Sequence, residues 1–115
     1  MPLPHTNPLQ LKSWNQLQEL SNEFKEASIS NLFEADPYRA QSMSIEWGDF
    51  FVDFSKHLSD KRVLDTLYSL AEESGLEYAK KAYLSGEKIN ATEDRAVLHT
   101  ALRTNAFNPK VDGES

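Results

Sequence analysis

The chain has no cysteine. That rules out a disulfide framework and a thiolate metal site, and it fits a reducing compartment. The four glycines, Gly48, Gly75, Gly86 and Gly113, lie far apart. Both the dinucleotide-binding fingerprint and the P-loop need clustered glycines to bring backbone N–H groups onto phosphate, so neither is present. No apolar run approaches the ~20 residues that span a bilayer. The start, Met1-Pro2-Leu3-Pro4-His5, has neither the basic nor the apolar part of a secretion signal. An excess of positive charge is also missing. Twelve basic residues are scattered among 18 acidic ones, for a net charge of −6, which suits no phosphate backbone. The three histidines, His5, His57 and His99, are not spaced as zinc ligands. These absences lead to the expectation of a cytoplasmic protein with no nucleic-acid partner, no membrane and no metal.

What is present is a globular composition: 115 residues, 39% hydrophobic and 26% charged, enough for one domain or part of one. Asn7-Pro8-Leu9-Gln10 reads as a capped helix start. Leu11, Trp14, Leu17, Leu20 and Phe24 then recur every three or four residues, as one stripe of an amphipathic helix. A short helix is expected over residues 30–35, interrupted by Asp36-Pro37. Met43, Ile45 and Trp47 alternate with polar residues before Gly48-Asp49, and Phe50 to Phe54 follow. This reads as a tight two-stranded hairpin. Ser59 is expected to cap a third helix bearing Val63, Leu64, Leu67, Leu70 and Ala71, with Gly75 as its left-handed end. A fourth helix runs over about 76–84 and stops at Gly86. Thr92 is expected to cap a fifth, deeply packed helix bearing Ala96, Val97, Leu98, Ala101 and Leu102. The expected layout is a flexible tail over 1–6, a helical region over 7–103, and a linker or truncated start of a further segment over 104–115.

Few residues suggest chemistry. His57 falls at the hairpin exit and is expected at the surface, and His99 is expected to be structural, on the packed last helix. Glu72 with Glu73, and Glu93 with Asp94, are adjacent in sequence and point apart on a helix, so neither pair converges on a substrate. Ser85-Gly86-Glu87 lacks the strand–turn–helix setting of a nucleophile elbow. Asn90-Ala91-Thr92 matches a glycosylation sequon, which is incidental without secretion. No catalytic, substrate-binding or metal-binding residue is assigned.

One stretch is more specific. Residues 85–103, Ser-Gly-Glu-Lys-Ile-Asn-Ala-Thr-Glu-Asp-Arg-Ala-Val-Leu-His-Thr-Ala-Leu-Arg, closely resemble a stretch near the N-terminus of the glucose-6-phosphate isomerase (phosphoglucose isomerase) family. Asn7-Pro8 with the Trp14 helix, Val52-Asp53-Phe54-Ser55-Lys56, and Val111-Asp112-Gly113 resemble that family in the same order. Its signature residues here are Gly86, Glu87, Lys88, Asn90, Thr92, Glu93, Arg95, His99 and Arg103. Thr104-Asn105-Ala106-Phe107 departs from the basic, serine-containing run usual in the family.

The resemblance implies the N-terminal, mainly α part of a larger α/β (SIS-type) isomerase, with about five helices and a small hairpin. It implies a homodimeric parent of glycolysis and gluconeogenesis that converts hexose 6-phosphates through an enediol without a cofactor. The family's catalytic glutamate, histidine, lysine and arginine, and its phosphate-holding serines and threonines, lie downstream of the matched region. None is therefore carried onto Glu87, Lys88, His99 or Arg103, and the chain alone is expected to be inactive. Its partner is then the remainder of the isomerase chain. Glu87, Lys88, Asn90, Glu93 and Arg95 are expected to fix the loop before the last helix, so that Arg95→Ala lowers stability. The alternative is a free-standing helical interaction module that presents the Trp14 stripe to a partner.

Overall fold

A computed structural model describes residues 3–103. It is mainly helical, with five α-helices and one antiparallel hairpin among the described residues. The first turn follows from local chemistry. The Asn7 side chain accepts a hydrogen bond from the Leu9 N–H at 3.1 Å, and Pro8 opens a 3-10 turn over Pro8–Gln10. Leu11 is extended (φ −79°, ψ 146°), so the regular helix starts afresh as α1, Lys12–Glu23. The expected stripe of Leu11, Trp14, Leu17, Leu20 and Phe24 is half-buried throughout, and the fully buried residue in α1 is Ser13.

Ser28 caps α2, Ile29–Ala35, by accepting from the Asn31 N–H at 3.1 Å. Asp36 ends the helix in an extended conformation (φ −133°, ψ 97°), as a residue before proline must. Its carboxylate accepts from the Tyr38 N–H at 2.9 Å and helps to start the single turn α3, Arg39–Ser42. Strands β1, Ser44–Trp47, and β2, Phe50–Asp53, pair antiparallel with Ile45 opposite Val52 and Trp47 opposite Phe50. Gly48 takes the positive φ (+56°) at the first position of the two-residue turn, where glycine meets no steric cost.

Helix α4, Lys61–Glu73, is capped by Asp60 and not by Ser59. Asp60 accepts from the Val63 N–H at 3.1 Å, an N-cap geometry that the carboxylate one residue later supplies. Its apolar face is thinner than expected, with Val63, Leu64, Leu70 and Ala71 half-buried and Leu67 exposed. Gly75 (φ +79°) and Gly86 (φ +82°) both adopt the left-handed conformation, flanking α5, Leu76–Ser85. The Glu87 N–H reaches back to the Ala82 carbonyl at 3.1 Å and closes the C-terminal cap.

The helix expected from Thr92 does not form. Asn90 and Arg95 pair by two backbone hydrogen bonds, at 3.1 and 3.3 Å, around a four-residue loop. The Asn90 side chain accepts from the N–H groups of Thr92 and Glu93, at 3.2 and 3.3 Å, and so closes a turn around Thr92 in place of the helix start expected there. Asp94 sits at φ +52°, which no right-handed helix can pass through. Only a 3-10 turn over Ala101–Arg103 remains. The expected mainly α layout of five helices and a small hairpin is present, but α3 replaces the expected last helix in the set of five. The expected linker over 104–115 lies outside the described residues.

The chain divides into two compact units, one of Lys12–Ser69 and one combining Met1–Leu11 with Leu70–Ser115. Fully buried apolar side chains among the described residues are few: Met43 in the first unit and Ala82 in the second.

Candidate functional site

The best-built polar site lies where the hairpin hands over to α4. Asp53 accepts from the Ser55 N–H at 2.9 Å and turns the chain out of β2. The Phe54 N–H still pairs with the Met43 carbonyl at 3.0 Å, and the His57 N–H with the Phe54 carbonyl at 3.1 Å. Arg39, only 2% exposed, crosses from α3 to this turn. Its Nε donates to the Ser55 carbonyl and its Nη2 to the His57 carbonyl, both at 2.8 Å, and its guanidinium lies 5.6 Å from the centre of the Phe33 ring. A planar fork on two carbonyls is a geometry that arginine alone among side chains supplies. Hydrogen bonds from Ser55 hold the Asp53 carboxyl below the ordinary aspartate range, with Lys56 adding its charge. Sequence reading passed over Arg39, because nothing in a lone arginine after Asp36-Pro37-Tyr38 announces burial. His57 is exposed, as expected.

Beside this turn, Leu32, Asp36, Arg39, Met43, Leu64 and Tyr68 line part of a cleft of about 600 Å³. Asp60 and the Lys61–Asp65 pair also border it. Its carboxylates are engaged. Asp36 accepts from the Tyr38 N–H, and Asp65 is 2.6 Å from Lys61. Partial burial works against ionisation of Asp60, but the Val63 N–H and Arg62 outweigh it and keep the carboxyl below its ordinary range. A general acid or base needs a pKa brought toward the working pH, and the hydrogen bonds here move Asp60 the other way.

The signature residues form a loop. Glu87 accepts from Tyr78 Oη at 3.4 Å and from Ser85 Oγ at 3.5 Å. Burial, then the charge of Glu87 and their hydrogen bond, push the Tyr78 hydroxyl above the usual tyrosine range. Lys88 Nζ pairs with Asp94 at 3.1 Å, and Asn90 Nδ2 donates to Glu93 at 3.1 Å. Gly86 is buried in the turn that starts the loop. Thr92, Glu93, Arg95, His99 and Arg103 are exposed. Arg95 joins the loop through its backbone hydrogen bonds with Asn90, and the ion pair in the loop is between Lys88 and Asp94. The packed, structural setting expected for His99 is absent, because the helix meant to carry it is replaced by an open segment. No group of three or more potential metal ligands occurs among the described residues.

At the turn after β2 the polar side chains bind backbone, and in the signature loop they pair with one another and, through Asn90, with backbone. The sequence profile of the phosphoglucose isomerase family matches residues 53–115, more than half of the chain, including Asp53, Ser55 and the whole signature loop. A glucose-6-phosphate isomerase 1 of Chromobacterium violaceum is 45% identical over 106 residues, covering 91% of this chain and 19% of that protein. The glucose-6-phosphate isomerase of Christiangramia forsetii is 40% identical over 103 residues, covering 90% and 19%. That of a Marinomonas species is 42% identical over 98 residues, covering 85% and 18%. This chain belongs to the phosphoglucose isomerase family. It spans about a fifth of the length of the curated relatives it matches.

Proposed function

We propose that the chain is the N-terminal, non-catalytic segment of a glucose-6-phosphate isomerase. The parent enzyme interconverts glucose 6-phosphate and fructose 6-phosphate. One observation carries this reading: the likeness runs through 85–91% of this chain but occupies only 18–19% of the relatives.

The chemistry agrees. Aldose–ketose isomerisation opens the sugar ring and then moves a proton between C2 and C1 through an enediol. It needs a base beside that carbon, donors for the developing negative charge, and a phosphate clamp, all in register. Glu87 and Lys88 have suitable chemistry but are turned to Tyr78, Ser85 and Asp94. The acid, base and phosphate clamp therefore come from the remainder of the subunit, and this segment contributes structure.

The test is a graft. The 115 residues replace the matched segment of the 45%-identical relative, and conversion of glucose 6-phosphate to fructose 6-phosphate is assayed beside the isolated chain. An active graft and an inactive isolated chain are expected. Turnover by the isolated chain, or a folded but inactive graft, refutes the reading.

A further inference from the structure

The hairpin carries an apolar face that its own unit leaves bare. Side chains alternate along a strand, and directly paired residues share a face. Ile45, Trp47, Phe50 and Val52 therefore lie together, and Ser44, Glu46, Phe51 and Asp53 lie on the reverse. The first set is wholly apolar, yet Trp47 is 75% exposed, Phe50 66%, Ile45 53% and Val52 52%. The Trp47 and Phe50 rings already stack, with centroids 5.7 Å apart and planes 19° from parallel. The slab is thus formed before anything covers it. An isolated two-stranded hairpin is marginal in water and needs a further layer.

We propose that this slab is a docking face for the remaining polypeptide of the same isomerase subunit, which lays an apolar surface over Ile45, Trp47, Phe50 and Val52. The inference rests on the isomerase reading above. Roughly four-fifths of each relative lies outside the segment matched here, so the covering layer is available within one chain. A second copy is a poorer occupant. Each copy brings Asp49 at the turn beside Trp47 and Phe50, so two slabs laid face to face would add a second carboxylate at the rim of the seam, while Glu46 and Asp53 lie on the reverse face.

Hydroxyl-radical footprinting reads the face directly. Labelling of Trp47 and Phe50 is compared between the isolated chain, at two concentrations, and the same residues grafted into the 45%- and 40%-identical relatives. Going from the present exposures to those of a core residue lowers labelling about tenfold, while Tyr38, 74% exposed and off the slab, serves as the reference. Protection in an active graft, with none in the isolated chain, is expected. An active graft in which Trp47 and Phe50 label as before overturns the docking face and leaves the isomerase reading intact. Protection that appears in the isolated chain as its concentration rises makes a second copy the occupant and overturns the proposal. If neither graft yields isomerase activity, the isomerase reading falls and this inference falls with it.

Discussion

Replacing Arg39 tests how the segment holds itself together. The side chain is 2% exposed and makes two charge-assisted hydrogen bonds of 2.8 Å to carbonyls of the turn after β2. Hydrogen bonds to charged groups each contribute about 1.5–3 kcal/mol, so Arg39→Ala forfeits roughly 3–6 kcal/mol of gross interaction. Two effects reduce the loss. The buried guanidinium no longer has to be kept from water, and the His57 carbonyl, on an exposed residue, gains water as a partner. A net destabilisation of about 2–4 kcal/mol remains, which corresponds to a Tm lowered by roughly 10–25 °C in a domain of this size. Arg39→Lys keeps the charge but presents one ammonium where a fork spanned two carbonyls. It should cost about half as much. The Phe33 contact at 5.6 Å adds about 1 kcal/mol, measurable as the coupling in an Arg39→Ala, Phe33→Ala double-mutant cycle. Urea unfolding followed by circular dichroism gives all of these numbers. An Arg39→Ala variant within about 0.5 kcal/mol of the parent sequence, or a lysine variant as damaged as the alanine one, would refute the fork as the source of stability.

Asn90→Ala should destabilise the signature loop by about 1 kcal/mol and speed hydrogen exchange at the Thr92 and Glu93 N–H groups, while Thr92→Ala stays within about 0.5 kcal/mol. The reverse order would restore Thr92 as the cap. Gly48→Ala should cost about 1 kcal/mol through its φ of +56° alone, because an added Cβ there meets nothing within 4 Å. Asparagine at the same position should recover part of that in thermal melts. Asp53, Asp60 and Glu77 all titrate below their ordinary values of 3.8, 3.8 and 4.5. Their contribution is therefore present above those values and lost as the pH falls through the lower folded ones. Tm should drop between pH 6 and pH 3, and a flat or rising Tm over that window contradicts the assignment.

The sequence was legible where a local rule acted alone. Gly48 in a two-residue turn, Gly75 and Gly86 past helix ends, and the break at Asp36-Pro37 are set by steric limits on one or two residues, and the structure has each of them. It was misleading where two rules competed. Thr92 followed by two acidic residues is a good helix start, and Ala96 to Leu102 is a good apolar run. Asn90, two residues earlier, draws the Thr92 and Glu93 N–H groups into a tighter turn, and Asp94 then leaves the right-handed region. Ser59 lost to Asp60 in the same way, as two acceptors one residue apart competed for one helix start. Arg39 was out of reach for a different reason. Its partners are 16 and 18 residues away and are backbone carbonyls, so no side-chain type at the other end marks the pair.

That last point bears on how a segment without an evident reaction centre can still be recognisable as part of an enzyme family. A short irregular segment leaves N–H and carbonyl groups that neither helix nor sheet pairs, and burying them unpaired costs more than most single contacts return. In this chain side chains take over that pairing. Asp53 and Arg39 tie down the turn after β2, Asp60 starts α4, and Asn90 holds the loop after α5. Each depends on a particular side-chain geometry, so each tolerates fewer replacements than an apolar position in a helix stripe. An apolar stripe needs only volume and period. The family profile covers Asp53, Asp60 and Asn90, groups that hold backbone in place. The uncovered slab of Ile45, Trp47, Phe50 and Val52 is the complementary case, because its requirement is set by whatever surface closes over it.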